Sequence, residues 1–294
     1  MEWSRLSQGG AYQKLLLAHY PSLTPENDMK MEALAPSARE LDFGTADRLV
    51  RWARAHDIAV HGHTLVWHRQ LPRWLTERRW TRAQLRSYLR RYVTGVVRHY
   101  RGRVESWDVV NEPLNPSGSP RRSIWWRVLG QGYIADALRW AHEADPEAKL
   151  YLNEFDLERP GPKSRAMYRL LRRLVRGGVP LDGIGLQAHL STGWQPTGAQ
   201  LRTVMRRYAS LGLRVDISEM DVAIGPGAAA LGRQARIYRT AAAACRSLTA
   251  CTRFTTWGFT DASSWLGSVQ RPLPFDARGV AKPAWRAIAD ELGA

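Results

Sequence analysis

A chain of 294 residues, 44% of them hydrophobic, is long enough for one large α/β domain. None of its apolar runs approaches the roughly 20 residues of a membrane-spanning helix, and the N-terminus lacks the basic-then-apolar layout of a signal peptide. The net charge of +16 raises an anionic polymer as a partner, but the arginines are spread over amphipathic segments and no nucleic-acid-binding motif accompanies them. We therefore expect neither a nucleic-acid nor a membrane partner.

Strand-like and helix-like segments alternate along the chain after a first helix-like run at residues 11–19. The predicted strands begin with a short stub at 20–30 that ends in clustered polar groups, and they continue at 58–68, 106–112, 149–155, 183–190, 213–221 and 253–261. Helical periodicity predicts helices at 45–56, 82–100, 130–144, 163–176, 198–211, 230–247 and 281–292. Such alternation without hairpin signals predicts a parallel sheet with helical crossovers.

The count of seven strands is one short of a closed (β/α)8 TIM barrel, which is the predicted fold class. Residues 2–10 make a poor strand, so the first strand is expected to be weak or missing. Either the chain lacks its true N-terminus, or residues 1–10 are irregular or replace that strand. A doubly wound open sheet is the rival, but no Gly-rich phosphate loop follows the first strand. No linker is visible, so residues 1–294 are predicted to form a single domain.

Polar and aromatic residues recur where the predicted strands end. In a barrel those ends converge on the face that carries the active site, which favours a catalytic role over simple burial. These residues are Glu26, His63, Trp67, Glu112, Asn153, Gln187, His189, Glu219 and Trp257.

The chemistry that suits these residues best is glycoside hydrolysis by two strand-end glutamates. No Gly-x-Ser-x-Gly elbow supports acyl transfer, and His61, His63 and His68 do not follow a His-Glu-x-x-His metal pattern. One carboxylic acid would protonate the leaving oxygen while a second carboxylate attacks the sugar or activates water. The 13 tryptophans include several expected in the core, with Trp67, Trp257 and Trp265 expected to stack on sugar rings.

Two cysteines, Cys245 and Cys251, are separated by five residues. No second Cys or His pair follows at the spacing of a zinc site. A short disulfide loop in an exported protein is the favoured interpretation, and two buried thiols are the alternative.

Six segments together resemble family 10 of the glycoside hydrolases, which comprises retaining endo-β-1,4-xylanases with an eight-fold barrel. The resemblance runs from about residue 11 to 290, and its motifs are specific when they occur in this order. The segments are Leu23-Thr-Pro-Glu-Asn-Asp-Met-Lys30, Gly62-His-Thr-Leu-Val-Trp-His68, Trp107-Asp-Val-Val-Asn-Glu112, Gly183-Ile-Gly-Leu-Gln-Ala-His189, Ile217-Ser-Glu-Met-Asp221 and Thr256-Trp-Gly258.

The resemblance implies Glu112 as acid/base and Glu219 as nucleophile, with their carboxyls about 5–5.5 Å apart as retention requires. Asn111 would donate to the sugar 2-hydroxyl, and His189, oriented by Asp221, would hydrogen-bond Glu219. The other residues implied to bind substrate are Glu26, Asn27, Lys30, His63, Trp67, Gln70, Gln187, Trp257 and Trp265. The cysteines fall where many family members carry a disulfide.

Three positions depart from the family pattern, and none is a catalytic position. Met31 stands where a Trp is usual, and Pro21 stands where the Asn of a Phe-Asn pair is usual. Phe155 replaces a usual Tyr and so lacks its hydroxyl. These departures bear on substrate affinity and subsite detail rather than on the reaction.

The resulting prediction is an endo-1,4-β-xylanase that acts on xylan and xylo-oligosaccharides without a cofactor or metal. It is expected to be a monomer and to be secreted or periplasmic. A hydrolase of β-1,4-glucan is one alternative, because xylose differs from glucose only in lacking the exocyclic CH₂OH group. A non-catalytic carbohydrate-binding barrel is another, although it would require a broken catalytic pair.

Overall fold

The computed structural model describes residues 1–225, 227 and 229–293. Strands and helices alternate as in a (β/α)8 barrel, and the observed strand pairings are parallel. The strands are β1 (Ser22–Leu23), β2 (Ala59–Val66), β3 (Ser106–Asn111), β4 (Lys149–Glu154), β5 (Gly183–Leu186), β6 (His189–Ser191), β7 (Arg214–Ala223) and β8 (Phe254–Thr256). The helices are α1 (Trp3–Leu6), α2 (Gly10–His19), α3 (Met31–Leu34), α4 (Gly44–Ala55), α5 (Arg73–Thr76), α6 (Arg82–His99), α7 (Ile124–Leu129), α8 (Tyr133–Ala144), α9 (Pro162–Arg176), α10 (Gly198–Ala209), α11 (Ala230–Arg246) and α12 (Pro283–Leu292).

The chain comprises two compact units. The first contains Met1–Asn153 and Arg169–Gly183, and the second contains Glu154–Tyr168 and Ile184–Ala294. In the first unit β1, β2, β3 and β4 pair in chain order. In the second unit β7 pairs with both β6 and β8.

The N-terminal segment forms a helical turn rather than a strand. Trp3–Leu6 make α1, and within the described residues 2–10 there is no strand. The first strand of the structure is therefore the two-residue β1, which lies within the stub predicted at 20–30.

The predicted strand at 183–190 is wrong in its continuity, since it is divided into β5 and β6. Ala188 adopts a left-handed φ of 58°, and its N–H donates to Glu158 Oε1 at 2.7 Å. That side-chain bond takes the backbone out of extended geometry. The predicted strand at 253–261 is likewise shorter, because β8 ends at Thr256 and Gly258 has a φ of 95°.

A close approach between neighbouring strands explains one glycine in the core of the first unit. Gly62 of β2 lies opposite Trp107 of β3, whose side chain is fully buried. A Cβ at position 62 would lie 2.2 Å from the Trp107 ring. Any larger residue would displace the indole, so Trp107 is one of the tryptophans that fill the core.

Many arginines lie on exposed helix faces, and several contact acids on a neighbouring helix. Arg86 of α6 bonds Asp136 of α8 at 2.9 Å, and Arg246 of α11 bonds Glu291 of α12 at 2.9 Å. Exposed pairs of this kind contribute only about 0–1 kcal/mol each. They fit the interpretation of the basic charge as solvated outer surface.

No helix within the described part of the chain combines the length and apolar character needed to cross a bilayer.

Cys245, in the last turn of α11, forms a disulfide with Cys251 ahead of β8. The bond closes a short loop across a sequence separation of 6, so the chain-entropy model gives it about 2 kcal/mol. We expect the Cys245→Ala/Cys251→Ala variant to unfold at a lower denaturant midpoint with an unchanged slope. Equal midpoints for the variant and the wild type, in urea melts under non-reducing conditions, would contradict this.

Candidate active site

In the first unit, Glu112 lies directly after β3. Its backbone has a left-handed conformation that residues other than glycine rarely adopt. Its φ is 54°, which for a residue other than glycine costs about 1–2 kcal/mol. Its N–H donates to the carbonyl of Asn153 at 2.9 Å, and its own carbonyl accepts from Arg121 Nε at 2.8 Å. Arg121 also donates to the carbonyl of Leu114 at 2.7 Å. These bonds fix the peptide on both sides and so aim the Glu112 side chain.

The Glu112 carboxylate is close to a histidine and remains accessible. Oε2 lies 3.7 Å from Nδ1 of His68, and the Glu112 side chain is 13% exposed. Asn111 and Asn153, which pair across β3 and β4, are buried. A partly exposed carboxyl group next to buried amides can contact a substrate.

His63, predicted to bind sugar, belongs to a buried ionic network at β2 and β3. Its Nδ1 lies 2.8 Å from Asp108 Oδ2, and Nε2 of His61 lies 3.1 Å from the same oxygen. Burial by itself would raise the pKa of Asp108, but the two histidines hold that pKa well below its usual range. Asp108 is therefore ionised and fixes the His63 ring.

Three of the predicted substrate-binding residues form one hydrogen-bonded group in the first unit. Lys30 Nζ donates to Asn27 Oδ1 at 3.0 Å and to Gln70 Oε1 at 2.7 Å, and the Gln70 amide donates to Asn27 at 2.9 Å. Lys30 Nζ also lies 4.8 Å from the ring centroid of Trp67, and Trp125 donates to the Trp67 carbonyl at 2.7 Å. These contacts place a cation, two amides and an indole together.

The first three residues of the chain contact the loop that carries Glu26. The sequence did not indicate this contact. The N-terminal amine of Met1 donates to Thr24 O at 3.0 Å, and the N–H of Glu26 donates to Met1 O at 2.6 Å. The Trp3 N–H donates to Asp28 Oδ2 at 2.7 Å. The N-terminal segment thus orders the loop between β1 and α3.

In the second unit, Glu219 is a buried carboxylate in β7 that faces a histidine held from its other side. His189 Nε2 lies 3.1 Å from Glu219 Oε2, and His189 Nδ1 lies 3.0 Å from Asp221 Oδ2. The parallel pairing of β6 with β7 sets His189 opposite Asp221. Burial by itself would lower the pKa of His189, but Asp221 and Glu219 raise it well above its usual value. A histidine held between two carboxylates keeps the Glu219 side chain fixed in direction.

Trp265 contacts both Asp221 and His189 and is the most exposed tryptophan of the predicted site. Its Nε1 donates to Asp221 Oδ2 at 2.7 Å, its ring lies 5.2 Å from that of His189, and it is 56% exposed. Trp257 follows β8, forms a T-shaped contact with His189 at 6.4 Å between ring centroids and is 9% exposed. The exposed face of Trp265 is available for a sugar ring.

Gln187 is buried at the break between β5 and β6, where its N–H donates to the carbonyl of Glu154 at 3.1 Å. The break depends on Glu158, a buried acid to which no sequence motif pointed. Burial raises the pKa of Glu158, although the Ala188 N–H partly offsets this effect. A loop glutamate without periodic neighbours carries no sequence signal for such a role.

Phe155, which stands where a Tyr with its hydroxyl is usual in the family, lies beside a buried ion pair. Lys163 Nζ is 2.8 Å from Glu154 Oε1 and 3.1 Å from the Phe155 ring centroid. The ring contacts the cation through its face, which an aromatic without a hydroxyl does equally well.

The family model for Glycosyl hydrolase family 10 matches residues 1–291. Endo-1,4-beta-xylanase B of Thermotoga neapolitana is 38% identical over 98% of this chain and 85% of that protein. Native xylanase 10B from Thermotoga maritima is 38% identical, with a TM-score of 0.95 over 99% of this chain and 92% of that one. Xylanase 10B from Thermotoga petrophila RKU-1 in complex with xylobiose is also 38% identical, with a TM-score of 0.93 over 96% of this chain and 88% of that one. The predicted TIM-barrel fold class is confirmed, and the chain belongs to glycosyl hydrolase family 10 and is a glycoside hydrolase.

Proposed function

We propose that the protein is a retaining endo-1,4-β-xylanase in which Glu219 is the nucleophile and Glu112 the acid/base. The observation that carries the proposal is the arrangement around Glu219, where His189 lies between Glu219 and Asp221 at 3.1 and 3.0 Å and both carboxylates raise the pKa of its ring. A nucleophilic carboxylate must be ionised and fixed in direction, and this arrangement supplies the second condition. Family membership and the xylobiose complex of the Thermotoga petrophila relative support xylan as the substrate.

The reaction proceeds by two displacements at the anomeric carbon. In the first, Glu112 gives its proton to the glycosidic oxygen while Glu219 forms a bond to the anomeric carbon, and the shortened chain departs as an alcohol. In the second, the Glu112 carboxylate takes a proton from water as that water displaces Glu219. Two inversions restore the β configuration.

The remaining predicted residues bind the sugars on either side of the cleaved bond. Asn111 donates to the 2-hydroxyl of the sugar bound to Glu219, a bond that strengthens in the transition state. The group of Asn27, Lys30 and Gln70 is pre-ordered by its own hydrogen bonds, so little entropy is lost when sugar hydroxyls join it. The other sugar-binding residues of the proposal are Glu26, His63, Trp67, Gln187, Trp257 and Trp265.

Product analysis tests this function. Proton NMR during xylan hydrolysis by the wild type should show the β-anomer of xylo-oligosaccharides first, with the α-anomer appearing only by mutarotation. Carboxymethyl cellulose should release reducing sugar far more slowly than xylan. An α-anomer as the first product would refute retention, and tight binding of xylo-oligosaccharides without turnover would refute the enzyme.

We also propose that the protein acts outside the reducing cytoplasm, as a secreted or periplasmic enzyme. The disulfide between Cys245 and Cys251 supports this, because such bonds persist mainly in oxidising compartments. Fractionation of the source cells, followed by a xylanase assay of each fraction, tests the location.

A further inference from the structure

A basic cavity lies beside Glu112 in the first unit and has no role in the reaction described above. Its volume is about 470 Å³, within the range of pockets that hold small ligands. It is formed by the loop after β2, the end of α5, the loop after β3 and the first turn of α7. Three arginines, Arg121, Arg122 and Arg127, line it together with His68.

The cavity is rich in donors and, among its described lining residues, contains no carboxylate. The exposed Arg122 has its guanidinium 5.3 Å from the Trp126 ring centroid, and the exposed Arg127 donates to the Arg122 carbonyl at 3.1 Å. Ser123 and Asn115 add a hydroxyl and an amide to the lining. Positive charge with neutral polar groups suits an anionic ligand that also carries hydroxyls.

Two contacts connect this cavity to the proposed acid/base. Arg121 bonds the main-chain carbonyl of Glu112, and His68 Nδ1 lies 3.7 Å from the Glu112 carboxylate. A group held in the cavity is therefore next to the residue that protonates the leaving oxygen. Its occupant is best explained as part of the polysaccharide itself.

We propose that this cavity binds the carboxylate of a uronic-acid branch on the xylan chain, with Arg122 and Arg127 as the residues that determine specificity. The proposal rests on the proposed function. The planar fork of a guanidinium matches a carboxylate in two parallel hydrogen bonds, and the hydroxyl and amide of the lining suit the other oxygens of a sugar ring.

The test compares two substrates of equal backbone length, a linear xylo-oligosaccharide and one that carries a single glucuronic-acid branch. The Arg122→Ala/Arg127→Ala variant is expected to lose five- to tenfold in kcat/KM on the branched substrate and to stay within twofold of wild type on the linear one. The Arg122→Lys/Arg127→Lys variant, which keeps the charge but not the fork, should lose less. The wild-type preference for the branched substrate should shrink as salt is raised.

The matched control is Arg169→Ala/Arg173→Ala, which removes two exposed arginines from α9, a helix that does not line the cavity. It should leave the ratio of the two kcat/KM values at the wild-type level. Equal ratios for the cavity variant and wild type, or equal losses on both substrates, overturn the cavity proposal and leave the xylanase intact. Failure of wild type to cleave the linear substrate overturns the proposed function, and with it this inference.

Discussion

Replacement of Glu219 by alanine is expected to abolish the release of reducing sugar from xylan. Loss of a nucleophile removes the first displacement altogether, so kcat should fall by roughly 10⁴-fold or more. The measurement is initial reducing-sugar release at saturating xylan for purified wild type and variant. Xylanase activity that survives unchanged in the variant would refute the assignment of Glu219.

The configuration of the product that the Glu219→Ala variant forms with azide gives a second readout. The cavity left by Glu219→Ala can admit a small anion such as azide, which would attack the anomeric carbon of an activated aryl xyloside from the same side. That single displacement should yield an α-glycosyl azide, opposite in configuration to the normal product. A β-configured azide would instead assign Glu219 to the acid/base role.

Two control variants separate loss of chemistry from loss of folding. Glu219→Gln keeps the size of the side chain and an oxygen that accepts from His189, so it should be as inactive as Glu219→Ala while unfolding closer to wild type. Glu77→Ala removes an exposed glutamate that pairs with Arg73 and should remain fully active. A variant that is inactive yet as stable as wild type can only have lost chemistry.

The sequence predicted the strand ends of the site well because the signal there is local. Val109 and Val110 favour a buried strand, and Pro113 ends it, so Glu112 was predicted at a strand end. β3 does end at Asn111. Helical periodicity predicted α6 to within a residue, and its capping box of Thr81 and Gln84 is a sequence signal of the same local kind.

Features that depend on distant partners were not predictable. The break between β5 and β6 depends on Glu158, whose carboxylate accepts a hydrogen bond from the N–H of Ala188, 30 residues later in the chain. The short helices α1, α3, α5 and α7 have four to six residues each, too few to produce a periodic pattern. Their formation depends on tertiary contacts rather than on propensity.

In the site, the residues that carry out chemistry were easier to predict than those that hold them. Motif spacing pointed to Glu112, whereas nothing in the sequence distinguished Arg121 from the other arginines. The structure shows Arg121 bonded to the carbonyls of Glu112 and Leu114. A side chain that bonds main-chain carbonyls has partners that every residue carries, so the sequence gives no signal for the contact.

Replacement of Glu112 by alanine is expected to have the second-largest effect, and one that depends on the leaving group. An alcohol leaving group needs a proton, so kcat/KM on xylan should fall by about 10²–10⁴-fold. An aryl xylobioside with a nitrophenol leaving group needs little help in the first displacement. The variant should therefore release a rapid burst of about one nitrophenol per enzyme, followed by slow turnover, because water now attacks without a base.

The burst separates the roles of the two glutamates. Glu219→Ala cannot form the covalent intermediate and should show no burst. Azide added to Glu112→Ala should displace Glu219 without needing a base, which speeds turnover and gives a β-glycosyl azide. Stopped-flow absorbance of nitrophenolate and NMR of the azide product measure both effects.

The side chain of Glu112 is partly exposed, and its backbone is held by bonds to Asn153 and Arg121 that the substitution leaves in place. Glu112→Ala should therefore unfold close to wild type, so that its kinetics report on chemistry. Equal losses on xylan and on the aryl substrate, without a burst, would mean that Glu112 assists no leaving group. Because Glu112 donates a proton in one step and accepts one in the next, only a variant that is slow in the second step but competent in the first fits the acid/base role.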